Sequence, residues 1–322
     1  MAKYSLSNKT VLITGAAGGI GAAGARALHA RGANLVLVGR NASSVADLAR
    51  ELGEERVLSL GVDVTDRSAL QNAVACTVER FGALDVVFAN AGVAPDLPAT
   101  IATVDPELFE RIIAVNLLGV WRTVRAALPQ IIANRGHILV TSSIYAYVNG
   151  AVNAPYAASK AAIEQFTRAL RVELAMHGAT AGVLYPGWVE SAMSRPAFGG
   201  DALTTRMREV AFPRPLAVAI SPEAVARRVA RGIERRAASI TVPHRWHPVG
   251  ILRGIVNPVS DRLLTRHTRL QPLLRALENS ARDGAAGDRA GAAAGHELCG
   301  AQRELDARKP LAGLEREYRG GR

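Results

Sequence analysis

The chain has 322 residues, of which 49% are hydrophobic and 21% are charged, a balance typical of a globular protein with a sizeable core. Its two cysteines, Cys76 and Cys299, form no CxxC pair and no Cys/His cluster. This argues against a disulfide framework and a structural zinc site, and we expect no bound metal. The sequence shows no secretory signal and no run of about 18 apolar residues that would span a membrane, so we expect a cytoplasmic protein.

The net charge of +11 is concentrated in the C-terminal third. Residues 1–200 contain 17 Lys and Arg against 15 Asp and Glu, a net charge of +2, whereas residues 201–322 contain 22 against 13, a net charge of +9. The charge is therefore a property of the C-terminal segment rather than of the whole fold. No recognition motif accompanies it, so we do not expect nucleic acid as a partner.

Short apolar runs alternate with longer helical patterns through residues 1–190. The runs predict buried strands at 10–15, 34–39, 56–62, 84–92, 137–143, 180–187 and, after a basic helix at 222–237, at 239–243. The spacing of apolar residues predicts helices at 19–32, 44–53, 66–81, 106–133 and 155–177. Strict alternation implies right-handed crossovers and a parallel sheet covered on both faces, the doubly wound α/β class. Ligands of such sheets bind beyond the carboxyl ends of the strands.

A glycine-rich turn, TGAAGGIG at 14–21, follows the first predicted strand and opens the first helix. Its glycines allow a tight turn and let backbone N–H groups approach a pyrophosphate at a helix N-terminus. The spacing differs from the commoner G-x-G-x-x-G, and a plain helix cap is the alternative in a chain with 30 glycines. The predicted cofactor contacts in this turn are Gly15, Ala17, Gly19, Ile20 and Gly21.

The second predicted strand ends at Gly39 and Arg40, where dinucleotide-binding folds often place an acid for the ribose hydroxyls. Here a guanidinium is present instead, which suits a 2′-phosphate and favours NADP over NAD. The alternative is that Arg40 is an ordinary surface arginine. Asp63 and Val64 follow the third strand as further cofactor candidates; Asp63 can accept a hydrogen bond from an adenine amino group or, alternatively, cap a helix.

The sequence YAASK at 156–160 places Tyr156 and Lys160 four residues apart in a helical pattern, and hence on one helix face. A phenol with a pKa near ~10 is a poor acid–base catalyst at neutral pH, and a neighbouring cation lowers that pKa. The chain has 35 Arg and 4 Lys. A compact ammonium that can also reach ribose hydroxyls explains why Lys is retained here.

Two further polar residues complete the candidate catalytic set. Ser143 leaves the fifth predicted strand thirteen residues before the tyrosine and can donate a hydrogen bond to a substrate oxygen, while its neighbour Ser142 can support the backbone. Asn116 lies in an apolar helical stretch, where it can hold a water in a proton path or, alternatively, be a satisfied core amide.

These motifs resemble, in order and spacing, the short-chain dehydrogenase/reductase family over about residues 7–243. The family's glycine, NAG, catalytic and PG motifs match the turn at 14–21 and the residues Asn90, Ala91, Gly92, Asn116, Ser143, Tyr156, Lys160, Pro186 and Gly187. The resemblance implies one Rossmann-type domain with a seven-stranded parallel sheet, and hydride transfer at a nicotinamide.

The resemblance also implies a role for each site residue. Tyr156 would give or take the hydroxyl proton, Lys160 would tune it and bind the nicotinamide ribose, and Ser143 would orient the substrate oxygen. Asn116 would support a proton relay. Val189 and Ser191 match positions that contact the nicotinamide carboxamide, with Ser191 in place of the more usual Thr. Family members commonly form dimers or tetramers, so we expect a homodimer or homotetramer.

The C-terminal third adds features of its own. The segment at 190–215, a substrate lid in the resembled family, contains five large apolar residues and favours a small hydrophobic substrate, although ordinary lid packing gives the same pattern. We expect an oxidoreductase domain at 1–244, an amphipathic helical extension at 245–280 and a disordered tail at 281–322. The extension, with Trp246, an apolar stripe and several Arg, can pack on the core, contact another subunit or lie on a membrane.

The sequence therefore predicts an NADP-dependent oxidoreductase that interconverts a lipophilic secondary alcohol and a ketone or aldehyde. One alternative is the same enzyme with NAD. The other is a dinucleotide-binding sensor or scaffold without turnover, which a missing Tyr156 or Lys160 would have favoured.

Overall fold

The computed structural model describes residues 4–282. Seven parallel strands form one sheet in the order β3-β2-β1-β4-β5-β6-β7. The strands are β1 (Thr10–Thr14), β2 (Asn34–Gly39), β3 (Val57–Gly61), β4 (Val86–Ala89), β5 (His137–Thr141), β6 (Thr180–Pro186) and β7 (Ser239–Val242). The strand order reverses between β1 and β4, which opens a crevice at their carboxyl ends. The predicted doubly wound α/β fold is confirmed.

Ten helices are bounded within the described part of the chain: α1 (Gly19–His29), α2 (Ala42–Leu52), α3 (Arg67–Phe81), α4 (Pro106–Ile113), α5 (Val120–Ala133), α6 (Ala154–Ala175), α7 (Ala202–Ala211), α8 (Pro222–Glu234), α9 (His247–Ile251) and α10 (Arg253–Thr265). Residues 270–282 are also helical. Between α4 and α5 the chain continues as a π-helical turn at Ala114–Gly119.

The core lies in two layers, one on each face of the sheet. Helices α1, α2 and α8 cover one face through residues such as Leu28, Val45 and Val229. Helices α5 and α6 cover the other through residues such as Val124 and Ile163. The central strands β1, β4 and β5 are buried along their whole length, which explains why their sequences are continuous apolar runs rather than alternating ones.

Six of the seven predicted strands are shorter in the structure than in the sequence pattern, and β1, β4 and β5 end where motif residues begin. Gly15 leaves β1 because it has a left-handed φ of +64°. Strand β4 ends at Ala89 and β5 ends at Thr141. The motif residues that follow are therefore free of the sheet and form the loops at its carboxyl edge.

The helical segment Pro106–Ala133 is long and apolar enough, by length and composition alone, to cross a membrane. Its apolar side faces the protein interior, because Ile112, Val120, Val124 and Ile131 are buried. The segment packs on the sheet as a core helix.

The C-terminal extension packs back onto the domain. Arg253 Nη1 lies 2.8 and 2.9 Å from the two carboxylate oxygens of Glu164 in α6. Farther along, Asn149 Nδ2 donates to Asp261 Oδ1 at 2.9 Å, and Thr100 Oγ1 donates to Glu278 Oε1 at 2.8 Å. The inner face of the predicted helical extension is therefore part of the folded unit. From residue 283 onward, the predicted tail at 281–322 lies outside the described residues.

Candidate active site

A cavity of about 410 Å³ lies at the carboxyl ends of β1, β4, β5 and β6. It includes the crevice at the reversal of strand order, where ligands of doubly wound sheets bind. Most predicted functional residues line it: Gly15, Gly19, Ile20, Asn90, Ala91, Gly92, Ser143, Tyr156, Lys160, Pro186, Gly187, Val189 and Ser191. Six others are not part of its wall: Ala17, Gly21, Arg40, Asp63, Val64 and Asn116.

The glycine turn after β1 brings the start of α1 against the segment after β4. A Cβ built on Gly15 would lie 2.9 Å from Ala91 Cα, and one built on Gly21 would overlap the Gly15 carbonyl oxygen. Only glycine allows this close approach. The residue that precedes α1 is Gly18, which has no side chain that could cap the helix. The first N–H groups of α1 thus have no side-chain cap within residues 4–282, which suits an anionic group.

Asn90 ties three strand ends together. Its Nδ2 donates to the carbonyl oxygens of Thr14 and Gly15 at 3.3 Å, and its Oδ1 accepts from Thr141 Oγ1 at 3.1 Å. Thr14 Oγ1 in turn accepts hydrogen bonds from the N–H groups of Asn90 and Ala91. The Asn90 side chain therefore positions the glycine turn. The sequence does not predict that Thr14 and Thr141 form hydrogen bonds with Asn90, because a threonine within a strand has no spacing that marks it as a hydrogen-bond partner.

Arg40 is exposed at the end of β2, close enough to Asp63 for its charge to act on that carboxylate. Asp63 Oδ1 accepts hydrogen bonds from the N–H and hydroxyl of Thr65, at 2.8 and 2.7 Å. Partial burial raises the pKa of Asp63, but these hydrogen bonds and the Arg40 charge hold it below its usual value. Asp66 caps α3 through the Ala69 N–H at 2.9 Å, so the alternative that Asp63 is the helix cap is wrong.

The other two residues of the predicted cofactor edge differ in exposure. Val64 is buried, and a Cβ on Gly119 of the π-helical turn would lie 2.7 Å from its Cγ2. Because the Val64 side chain packs in the core, only its backbone can contact a cofactor. Ala17 is exposed on the glycine turn.

Tyr156 and Lys160 lie on the first turns of α6, facing the cavity. The Lys160 ammonium lies 5.4 Å from the centroid of the Tyr156 ring and donates to the Thr141 carbonyl oxygen at 2.9 Å. Lys160 is 3% exposed, and this burial lowers its pKa to about 8. The lysine is therefore held at the end of β5, with part of its population neutral near pH 8.

The pKa of Tyr156 is raised rather than lowered. Burial of the phenol is the largest effect, and a hydrogen bond with Ser143 opposes it. The sequence predicts that a neighbouring cation lowers the pKa of Tyr156; in the protein alone the net shift is upward, because burial of the phenol has the largest effect. At neutral pH the Tyr156 hydroxyl is a proton donor.

The two serines after β5 have different tasks. Ser142 is fully buried, and its hydroxyl donates to the Lys160 carbonyl oxygen at 2.7 Å, so it fixes α6 against the strand. Ser143 Oγ accepts a hydrogen bond from the Tyr145 N–H at 3.2 Å and lines the cavity. Because a hydroxyl can accept and donate at once, Ser143 can still donate to a substrate oxygen.

Asn116 is buried in the π-helical turn, and both polar atoms of its side chain form hydrogen bonds. Oδ1 accepts from the Val93 N–H at 2.8 Å, and Nδ2 donates to the Val93 carbonyl at 2.9 Å and to Ser159 Oγ at 3.0 Å. This is the satisfied core amide that the sequence left as an alternative. The side chain holds the loop after β4 against α6, and its Oδ1 keeps a second lone pair that can accept a further hydrogen bond.

Aromatic residues that the sequence patterns did not single out form the outer wall of the cavity. The Tyr145 ring lies edge-on to the rings of Tyr156 and Trp188, with both centroid distances 5.9 Å. Trp188 lies next to Val189, which is held by a bridge to Ile220. Ser191 forms a reciprocal cap with Ser194 at the start of the lid. The site thus joins a proton-donating phenol to an apolar wall.

Comparisons with known proteins show which family the chain belongs to. The sequence model described as short chain dehydrogenase matches residues 9–201. Momilactone A synthase from Oryza sativa subsp. japonica is 38% identical over 197 residues, which cover 61% of this chain and 72% of that protein. Dehydrogenase/reductase SDR family member 7B from Bos taurus is 34% identical over 203 residues, or 60% of this chain; the match spans less than two thirds of that protein, 62% of its length.

Two solved structures share the fold over most of this chain. One is a 3-ketoacyl-(acyl-carrier-protein) reductase from Brucella melitensis complexed with NADH, with 27% identity, a TM-score of 0.65 and coverage of 74% of this chain and 98% of that one. The other is an alcohol dehydrogenase from the archaeon Thermococcus sibiricus complexed with 5-hydroxy-NADP, with 29% identity, a TM-score of 0.61 and coverage of 73% and 95%. The chain belongs to the short chain dehydrogenase family, and the oxidoreductase class that its motifs predicted is confirmed.

Proposed function

We propose that the protein uses NADP(H) to interconvert a lipophilic secondary alcohol and the corresponding ketone or aldehyde. The observation that carries the proposal is the convergence of three groups on one cavity: the Ser143 hydroxyl, the Tyr156 phenol and the Lys160 ammonium. A dinucleotide-binding protein without turnover would not need a protonated phenol and a buried ammonium beside its ligand. Sensing alone is therefore the weaker alternative.

The residues present fit a nicotinamide dinucleotide. The uncapped start of α1 and the glycine turn suit the pyrophosphate, and Asp63 has a second carboxylate oxygen for the adenine amino group. Lys160 would bind the nicotinamide ribose. When bound, this cofactor supplies or accepts the hydride. The Brucella melitensis and Thermococcus sibiricus structures contain such cofactors, which supports the assignment.

The choice of NADP over NAD rests on Arg40. It lies exposed at the end of β2, where its guanidinium is free to pair with a 2′-phosphate. Replacing Arg40 with Ala should raise the Kd of NADPH about tenfold or more, because a charge-assisted hydrogen bond is lost, and should leave the Kd of NADH within about twofold. An unchanged Kd for NADPH in a fluorescence titration would refute this assignment.

The side chains divide the proton chemistry among themselves. In the reducing direction Tyr156 donates its proton to the substrate oxygen, while Ser143 donates a hydrogen bond that holds that oxygen in place. The raised pKa of Tyr156 keeps the phenol protonated for this step. In the oxidising direction the phenolate must form, and the nearby Lys160 ammonium stabilises it.

The cavity wall supports the proposed substrate class. Ile144, Tyr145, Trp188 and Met193 line the cavity beside Tyr156, so apolar substituents on the carbonyl carbon are favoured over hydroxylated ones. A screen of NADPH oxidation over ketones graded in size and polarity tests this. We expect kcat/KM to rise with apolar substituents, and a preference for sugars would contradict the proposal.

The outer face of α10 favours a peripheral contact with an anionic membrane. Leu252, Ile255, Val259 and Leu263 recur at helical spacing and are 51–71% exposed, and Arg262 and Arg266 lie exposed in the same segment. An apolar stripe with flanking arginines is the pattern of a helix that lies in the membrane interface. We therefore propose this face as the docking surface.

A further inference from the structure

A second cavity, of about 250 Å³, lies between the lid helix α7 and the C-terminal helices. Its wall is mainly apolar and includes Met207, Phe212, Trp246, Val256, Leu264 and Leu270. The inner face of α10 supplies part of this wall, and α10 begins well after residue 201, where the match to the family model ends. The cavity is therefore built in part by residues that lie beyond the range matched by the family model.

Among the described residues that line this second cavity, Arg208 alone is charged. Its Nη1 donates to the Ala217 carbonyl oxygen at 2.7 Å, and its guanidinium stacks 4.2 Å from the centroid of the Phe198 ring. Both contacts hold the guanidinium against the wall. The interior of the cavity is thus suited to hydrocarbon rather than to a hydrated group.

The two cavities share part of their walls beside Tyr156. Tyr145 and Trp188 line both cavities. The Tyr145 ring is 5.9 Å from the Tyr156 ring, and the Trp188 ring is 5.6 Å from the Phe212 ring on the far side. The indole N–H of Trp188 is buried with no hydrogen-bond partner in the part of the chain that is described. Within the described residues the indole is therefore held by ring packing against Tyr145, Phe198 and Phe212, and not by a hydrogen bond.

We propose that the second cavity binds the apolar tail of the substrate whose reacting oxygen lies at Tyr156 and Ser143. The inference rests on the proposed function and sharpens it: the substrate is a long-chain alkyl ketone or alcohol, not a compact one. The tail passes between Tyr145 and Trp188 when the two rings separate. Residues of the C-terminal extension then contribute directly to substrate specificity.

The first test measures KM for 2-alkanones from 2-hexanone to 2-dodecanone in the full chain with NADPH. We expect KM to fall by about two- to fourfold per added methylene, the gain for burying one CH₂. Val256→Trp fills the cavity and should raise KM for 2-dodecanone about tenfold, with 2-hexanone changed by less than about twofold. Val259→Trp, on the exposed side of the same helix, should change neither. Equal effects of Val256→Trp on both ketones would overturn the proposal.

A second readout does not depend on turnover. In a Tyr156→Phe background, 2-dodecanone should quench the fluorescence of Trp188 and Trp246, which line the cavity, more strongly than 2-hexanone does at equal concentration. Adding Val256→Phe, a milder substitution, should weaken this binding, whereas Val259→Phe should not. Binding without turnover in wild type would refute the proposed reaction but leave the tail site intact. Turnover without dependence on chain length, or tighter binding of a ketone that ends in a carboxylate, would overturn the tail site.

Discussion

Lys160 lies in a buried position between the end of β5 and the loop after β4. Its ammonium is almost fully buried, donates to the Thr141 carbonyl oxygen and would lie 3.4 Å from a Cβ built on Gly92. The planar, five-donor head of Arg is larger than an ammonium and differs from it in hydrogen-bond geometry, so we do not expect it to reproduce these contacts. We expect Lys160→Arg, which conserves charge, to lower kcat/KM at least about 100-fold.

The matched control for that substitution is Lys9→Arg. Lys9 forms an ion pair with Asp85 at 2.8 Å at the opposite end of the sheet, and an arginine can maintain it. Wild-type kinetics are expected for this variant. Near-normal turnover of Lys160→Arg would mean that any cation suffices beside Tyr156.

His137, at the start of β5, gives the fold a pH dependence. Burial is the main cause that lowers its pKa to about 3, with the charges of Arg236 and Arg171 adding to it. Between about pH 6.5 and 3 the unfolded chain therefore binds a proton that the folded chain does not, so this residue lowers the free energy of unfolding as the pH falls.

We expect His137→Gln to remove this contribution. The slope of unfolding free energy against pH in that range should be shallower than in wild type by up to about 1.4 kcal/mol per pH unit. Denaturant titrations from pH 4 to 7 measure it. Identical slopes for the two proteins would show that the histidine is protonated in the folded state or titrates equally in both states.

Among the helices, α10 has two apolar faces in different surroundings: one lines the second cavity and the other is exposed to solvent. Val256 and Leu264 line the second cavity, while Ile255, Val259 and Leu263 are exposed. The sequence pattern predicts the helix and its apolar positions, but a stripe this wide does not say which residues point inward. That information comes from long-range contacts such as Arg253 with Glu164, which no local pattern contains.

The exposed face of α10 leads to a test of membrane docking. The wild-type protein should co-sediment with vesicles that contain phosphatidylserine and less with vesicles of phosphatidylcholine alone. Ile255→Asp combined with Val259→Asp should abolish this partitioning, because two charges would enter the interface. Val172→Asp, at another exposed valine on α6, is the control. Equal sedimentation of the double variant and wild type would exclude this face as the docking surface.

The loops at the carboxyl edge show where sequence patterns succeed and where they stop. The glycine turn and the Tyr156–Lys160 spacing are local, so geometry alone brings them to the cavity once the sheet order is known. The pKa of Tyr156 depends on burial, which spacing does not reveal, and the partners of Asn116 come from Val93 and from Ser159 on another helix. Local motifs thus predict which groups meet, and tertiary packing decides their protonation and partners.

At the scale of the whole molecule, one sheet edge, a lid and a C-terminal extension enclose two adjoining cavities. The domain supplies the phenol, the ammonium and the glycine turn. Three polar contacts join the extension to the domain: Arg253 with Glu164, Asp261 with Asn149, and Glu278 with Thr100. We propose that this extension contributes to substrate choice and to membrane contact. The homodimer or homotetramer expected from the family stays a prediction.

We propose that Tyr156 transfers the hydroxyl proton in an NADP-dependent oxidoreductase, and the variant Tyr156→Phe separates this role from cofactor binding. The substitution removes one hydroxyl and keeps the ring that packs against Tyr145. In parallel assays of ketone-dependent NADPH oxidation and NADPH binding, we expect kcat to fall by about 10²- to 10⁴-fold while the Kd of NADPH stays within about twofold of wild type. Turnover that survives the loss of the hydroxyl would contradict the account.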